Sequence, residues 1–192
     1  MPRFSLRNAF LCTCIFLGLA TSRGRAGATS VFSTATVLRP GTFSLSGETM
    51  VRIDPYDFGV LGHLGFGLAP GFELHAKGGY TGSEAYYGGE MKVMLHDGGQ
   101  VATTTSVIAG AHYAGNFGLD GTLLASWPLR TVDAYAGLDA DVNFAEPKTT
   151  VPVNLVLGLQ AAFRAKIMVI AELGVNLHEN QNFVSWGLTF YP

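Results

Sequence analysis

Asp139 and Asp141 stand one residue apart, so any extended segment puts both carboxylates on one face. Such a pair could work as acid and base. His178, Ser185 and Glu172 supply the residue types of a nucleophilic triad. In the alternation described below all three share a face, but nothing flanking Ser185 marks it as a nucleophile. His63 and His75 fall on neighbouring segments, where two imidazoles could begin a metal site. Gly62, Gly65 and Gly67 are not followed by the Lys-Ser/Thr that completes a phosphate loop. They lie inside an apolar segment, where glycine allows curvature and close strand packing. None of these spacings is specific enough to name a reaction. No catalytic residue, metal or cofactor is expected, and the histidines read as structural.

The elements that must position these groups follow from the rest of the chain. Its 192 residues allow one domain. Nearly half are apolar, yet no run of 18 spans a membrane as a helix. A net charge of -2 without a basic stripe excludes nucleic acid as a partner. Arg3 and Arg7 precede an apolar stretch, Ala9 to Ala20, which is followed by small residues. That is the layout of a secretory signal, with cleavage after Ala20 or, preferably, after Ala28. Residues 1–28 are therefore expected to be a signal peptide, residues 29–41 a short lead-in, and residues 42–192 the folded unit. Removing residues 1–28 takes four arginines, both cysteines and no acid, leaving eight bases against 14 acids, a net charge of -6.

From Thr42 onward apolar residues recur with period two, the signature of strands. In Val132 to Phe144, Val132, Ala134, Ala136, Leu138, Ala140, Val142 and Phe144 share one face, opposite Asp133, Asp139 and Asp141. The pattern predicts ten strands, at 42–53, 58–69, 72–81, 86–96, 101–113, 117–127, 132–144, 152–163, 166–177 and 182–191. Eight would remain if the first hairpin were not part of the wall. Tight turns are expected at Pro70-Gly71, Asp97-Gly98-Gly99, Pro128 to Arg130 and Arg164, alternating with longer links on the other side.

The polar face takes the charge. Glu48, Glu73, Glu90, Asp120, Asp133, Asp139, Asp141 and Glu172 fall on it with Arg52, Lys77 and Lys92, as do all five histidines. Asp57 is assigned to a connection, and the apolar face has no charge. A soluble sandwich or lipocalin-like barrel also alternates, with the apolar face inside. Here the polar face is glycine-rich and poor in lysine. Aromatics gather at both strand ends: Phe43, Phe72, Trp127, Phe163 and Phe190 at one, Phe58, Tyr80, Tyr87, Tyr113, Phe117 and Phe144 at the other. An aliphatic band between aromatic girdles fits a lipid-facing exterior. The polar residues would then line a lumen. That lumen is either a cation-preferring passage or one filled by pairs such as Glu73 with Lys77 and Glu90 with Lys92.

Val184, Trp186, Leu188 and Phe190 alternate toward the carboxyl end. In this the chain resembles the small bacterial outer-membrane β-barrel proteins, whose last strand carries an assembly signal. Tyr191 and Pro192 extend beyond the aromatic on which that signal usually ends. The resemblance implies an all-β, closed, antiparallel up-and-down transmembrane barrel in the outer membrane of a Gram-negative bacterium. Its partners would be outer-membrane lipid and the barrel assembly machinery, with the oligomeric state open. The His-x-Ser pattern of lipid A deacylases and the Asp-x-His pair of omptins are absent. The expected role is therefore non-enzymatic: structural, surface-interacting or porin-like with narrow passive permeation. The alternatives are a barrel enzyme acting on lipid or peptide through a rim site, testable at His112 or Asp141, and a small cation-preferring channel.

Overall fold

The computed structural model describes residues 30–53, 56–99, 101–145, 149–178 and 182–192, so the expected signal peptide and its cleavage sites lie outside the described residues. Ten strands follow one another: β1 (Phe43–Ile53), β2 (Tyr56–Ala69), β3 (Phe72–Thr81), β4 (Glu84–His96), β5 (Thr104–Ala114), β6 (Asn116–Leu129), β7 (Val132–Phe144), β8 (Val153–Arg164), β9 (Ile167–Asn176) and β10 (Phe183–Phe190). Each pairs antiparallel with its sequence neighbours, and β1 closes on β10, from Leu45 opposite Phe190 to Arg52 opposite Phe183. The barrel thus has no free edge. The ten predicted strands are all present, and the eight-strand alternative is excluded.

The faces divide as the alternation requires. The exposed outside carries Leu64, Leu74, Leu119, Leu123, Leu138, Leu155, Leu157 and Trp186. Aromatics border this band, with Phe117 and Phe144 stacked between neighbouring strands, their centroids 6.0 Å apart. The inside carries buried charges together with Leu61, Met50, Leu124, Tyr135 and Phe183.

Connections depart from expectation. The Asp97 turn is not tight: β5 starts at Thr104, so residues 97–103 form the link at the end where β1 begins and β10 finishes. At the opposite end, β5 and β6 are joined through Gly115 alone, whose φ of 71° suits a residue without Cβ. The expected alternation of short and long links fails, because Gly-rich polar residues signal a turn without fixing its length. Asp57 is in β2 rather than a connection, directly opposite Arg52 and bound to it at 2.5 Å. His96 and His178 do not face inward but are exposed at the two ends. The register of β4 slips between Met94 and His96, which moves the ring off its expected face, and His178 lies beyond β9.

An outward face meeting hydrocarbon should tolerate charge only near its borders. Leu157→Arg, at mid-strand, is expected to cost about 2–4 kcal/mol in lipid, and Leu129→Arg, at a strand end, at most about 1 kcal/mol. Denaturant unfolding in vesicles checks this, and equal costs would contradict a depth-dependent lipid contact.

Candidate functional site: a lumen plugged by the lead-in

The lead-in does not hang outside the wall. Ser30, Val31, Phe32, Thr34 and Ala35 are buried within the barrel, and Val31, Phe32 and Ala35 pack with Ile108, Leu124, Tyr135 and Ile170. The chain enters where Gly41 N donates to Gly67 O at 2.8 Å, and Gly67 N donates to Thr42 O at 2.9 Å. A Cβ on Gly67 would lie 2.1 Å from Arg39 O, so only glycine lets the two backbones approach this closely.

Once inside, an irregular segment must find partners for its backbone groups, and the charged wall supplies them. Glu172 accepts from Val31 N and Phe32 N, both at 2.9 Å, and from the Tyr135 hydroxyl at 2.8 Å. Ser126 Oγ accepts from Ala35 N at 2.6 Å, and Glu73 Oε2 from Leu38 N at 2.9 Å. Lys92 donates to Ser33 Oγ at 2.8 Å and Thr34 O at 3.2 Å, while Lys77 donates to Ser30 O at 3.2 Å. The Phe32 ring stacks on His63, centroids 5.4 Å apart, and His63 in turn pairs with Glu48 at 2.7 Å.

Glycine makes these reaches possible. Tyr135, Gly158 and Glu172 lie in register across β7, β8 and β9. The tyrosine crosses the glycine to meet the carboxylate; a Cβ on Gly158 would lie 1.9 Å from Tyr135 Cζ. His112, Gly118 and Asn143 repeat the device across β5, β6 and β7, with His112 Nε2 2.9 Å from Asn143 Oδ1.

The remaining expected site residues are placed as follows. Glu48, Glu73, Glu90, Asp139, Asp141, Glu172, Arg52, Lys77 and Lys92 are buried, while Asp120 and Asp133 are half-buried. The ion pairs are not the expected ones. Lys77 pairs with Glu90 at 2.5 Å and Lys92 with Glu73 at 3.1 Å, both between β3 and β4. Along one strand Glu73 and Lys77 are about 13 Å apart and Glu90 and Lys92 about 7 Å, whereas cross-strand partners are about 5 Å apart, so the cross-strand pairs prevail. His63 and His75 do not converge on a common site, because each has its own acid, Glu48 and Glu73. Ser185 lies opposite Glu172, but that carboxylate holds the plug and His178 is exposed at the far rim, so the three form no triad. Sequence reading did not find the plug, nor the meeting of His112, Asp120 and Asp141, whose nearest donor atoms lie within 4.8 Å of one another.

On β10, Val184, Trp186, Leu188 and Phe190 are all exposed on the outward face. Tyr191 instead turns toward Gln160 and helps line a cavity of about 230 Å³ between plug and wall. Phe190 thereby remains the last outward aromatic.

The sequence matches no protein-family model and no curated protein. Among solved structures, the chain is similar to the COG4313 outer membrane channel from Pseudomonas putida F1, with 8% identity, a TM-score of 0.56, and coverage of 86% of this chain and 100% of that one. It is also similar to the KdgM porin, with 10% identity, a TM-score of 0.50, and coverage of 77% and 98%. The fold is that of the bacterial outer-membrane β-barrels.

If Glu172 holds the plug, its loss should free the segment. A thiol in place of Phe32 is expected to react slowly with a water-soluble reagent in the intact barrel, and at least about tenfold faster with Glu172→Ala, a change that strands two buried amides. Equal rates would show that the carboxylate does not hold the segment.

Proposed function

We propose that this protein is an integral outer-membrane barrel that keeps its own lumen closed and serves a structural or surface role, without a resting pore. The observation that carries this is the seating of residues 30–35 inside the wall, with side chains from β3, β4, β6 and β9 binding backbone groups of Ser30, Val31, Thr34, Ala35 and the following Leu38. A water-filled passage would leave the same wall charges to solvent. Here Glu172, Glu73, Lys92 and Lys77 bind polypeptide instead. Cleavage after Ala28 is compatible with this arrangement, since only Thr29 would then precede Ser30. Outer-membrane lipid on the apolar band, and recognition of Val184, Trp186, Leu188 and Phe190 by the assembly machinery, belong to the same reading.

The second reading is a cation-preferring channel that opens when the plug leaves. It is favoured by the wall's excess of acids over bases, since low-dielectric walls focus the field of such a set. The plug is continuous with the wall through Thr42 and β1.

Planar-bilayer recording separates the two. The chain of residues 29–192 is expected to be silent, and deletion of residues 29–38 to give conductance that prefers cations. That preference should fall when Asp139 and Asp141 become asparagine. Steady conductance from the undeleted chain would overturn the closed barrel, and silence of the deleted chain would overturn the channel.

A further inference from the structure

A second polar group lies in the half of the lumen remote from the plug's entry. Asp120 on β6 is directly opposite Asp141 on β7, so their side chains emerge together on the inward face. His112 on β5 reaches them because Gly118 leaves the intervening position empty; a Cβ there would lie 2.4 Å from the imidazole Nε2. The ring is held on both sides. Tyr86 stacks against it with centroids 5.5 Å apart, and Nε2 faces Asn143 Oδ1 at 2.9 Å.

With the Asn143 amide oxygen accepting, Nε2 carries the hydrogen and Nδ1 faces Asp120 Oδ1, where it can hold either a proton or a metal ion. Asp120 and Asp141 lie close enough to share a proton, but Oδ2 of each lacks a donor from the rest of the protein, as does Oδ2 of Asp139, which is 4% exposed and one inward position along β7. The buried cations nearby are engaged elsewhere, Lys77 with Glu90 and Ser30 O and Arg52 with Asp57. Buried carboxylate oxygens without donors are costly unless a cation compensates them.

We propose that His112, Asp120 and Asp141 bind a divalent transition-metal ion of the Zn(II) class, through Nδ1 and one oxygen of each carboxylate. Their donor atoms lie within 4.8 Å of one another. Ligands about 2.0–2.2 Å from zinc in a tetrahedral array are about 3.3–3.6 Å apart, so the imidazole and the Asp120 carboxylate, which touch in the empty site, must part by about 1 Å to admit the ion while Asp141 stays within reach. One imidazole beside carboxylates favours zinc over calcium or magnesium, which take oxygen ligands. Asn143 is a positioning residue: by accepting from Nε2 it fixes the tautomer that presents Nδ1 to the ion.

The test uses the untagged, refolded barrel of residues 29–192, stripped with chelator and titrated calorimetrically with ZnCl₂. One zinc per chain is expected. His112→Gln and Asp141→Asn should each weaken binding at least about tenfold in chains that keep heat-modifiable gel migration. Absence of saturable binding would leave a shared proton as the cation and overturn the proposal. So would equal displacement by calcium, or affinity unchanged in both variants. Since both changes lie inside the wall, zinc-edge X-ray absorption of the unaltered chain provides a test independent of variant folding. One imidazole with oxygen neighbours is expected, and an all-oxygen or multi-imidazole shell would refute the site.

Discussion

Every strand residue but Pro128 brings an N–H, and each a C=O, that hydrocarbon cannot solvate, and the pairing of β1 with β10 closes the ladder through which the edge strands find partners. Ten strands share one cyclic ladder. Once it closes, the two faces of the wall have different obligations. The outer face must be apolar throughout its middle, which Leu64, Leu123, Leu138 and Leu157 provide. The inner face buries its charged side chains, so most polar groups there are matched by others, with exceptions around Asp120, Asp139 and Asp141.

The match is made in two ways. Between strands, Arg52 pairs with Asp57, Lys77 with Glu90 and Lys92 with Glu73, while His63 and Glu48 share a hydrogen bond. The chain also supplies its own backbone, and the amides of Val31, Phe32, Ala35 and Leu38 bind Glu172, Ser126 and Glu73. Glycine serves as the spacer throughout. At Gly158 and Gly118 an empty position lets a long side chain cross one strand to reach the next. Charge, plug and glycine are therefore parts of one packing solution.

The wall was legible in the sequence because period-two alternation is a local property, visible within ten residues. Strand extents came within a few residues, and the girdle at Phe117 and Phe144 could be read directly. What required pairing between distant segments was not legible. Glu73 meets Lys92 rather than Lys77 because of the β3–β4 register, which no single strand reveals. His96 left its face through one slipped residue. The segment from Ser30 to Leu38 has no periodicity and no charge, so it read as a passive lead-in, although its partners lie on four different strands. The triad of His112, Asp120 and Asp141 likewise exists only after three strands align and Gly118 yields space. Asp139-x-Asp141 was noticed for its spacing, but its neighbour Asp120 is 21 positions from Asp141.

The plug also imposes an order on folding. Val31 binds Glu172 across a separation of 141 residues, although the segment is the first of the described chain to be synthesised. Its receptor is assembled from β3, β4, β6 and β9, so it does not exist until those strands are aligned. Chain entropy penalises so long a loop until the intervening wall shortens it. Docking must therefore come late, and it succeeds only around a correctly registered cylinder. A seated plug is in effect a built-in certificate that the ring has closed in the right register.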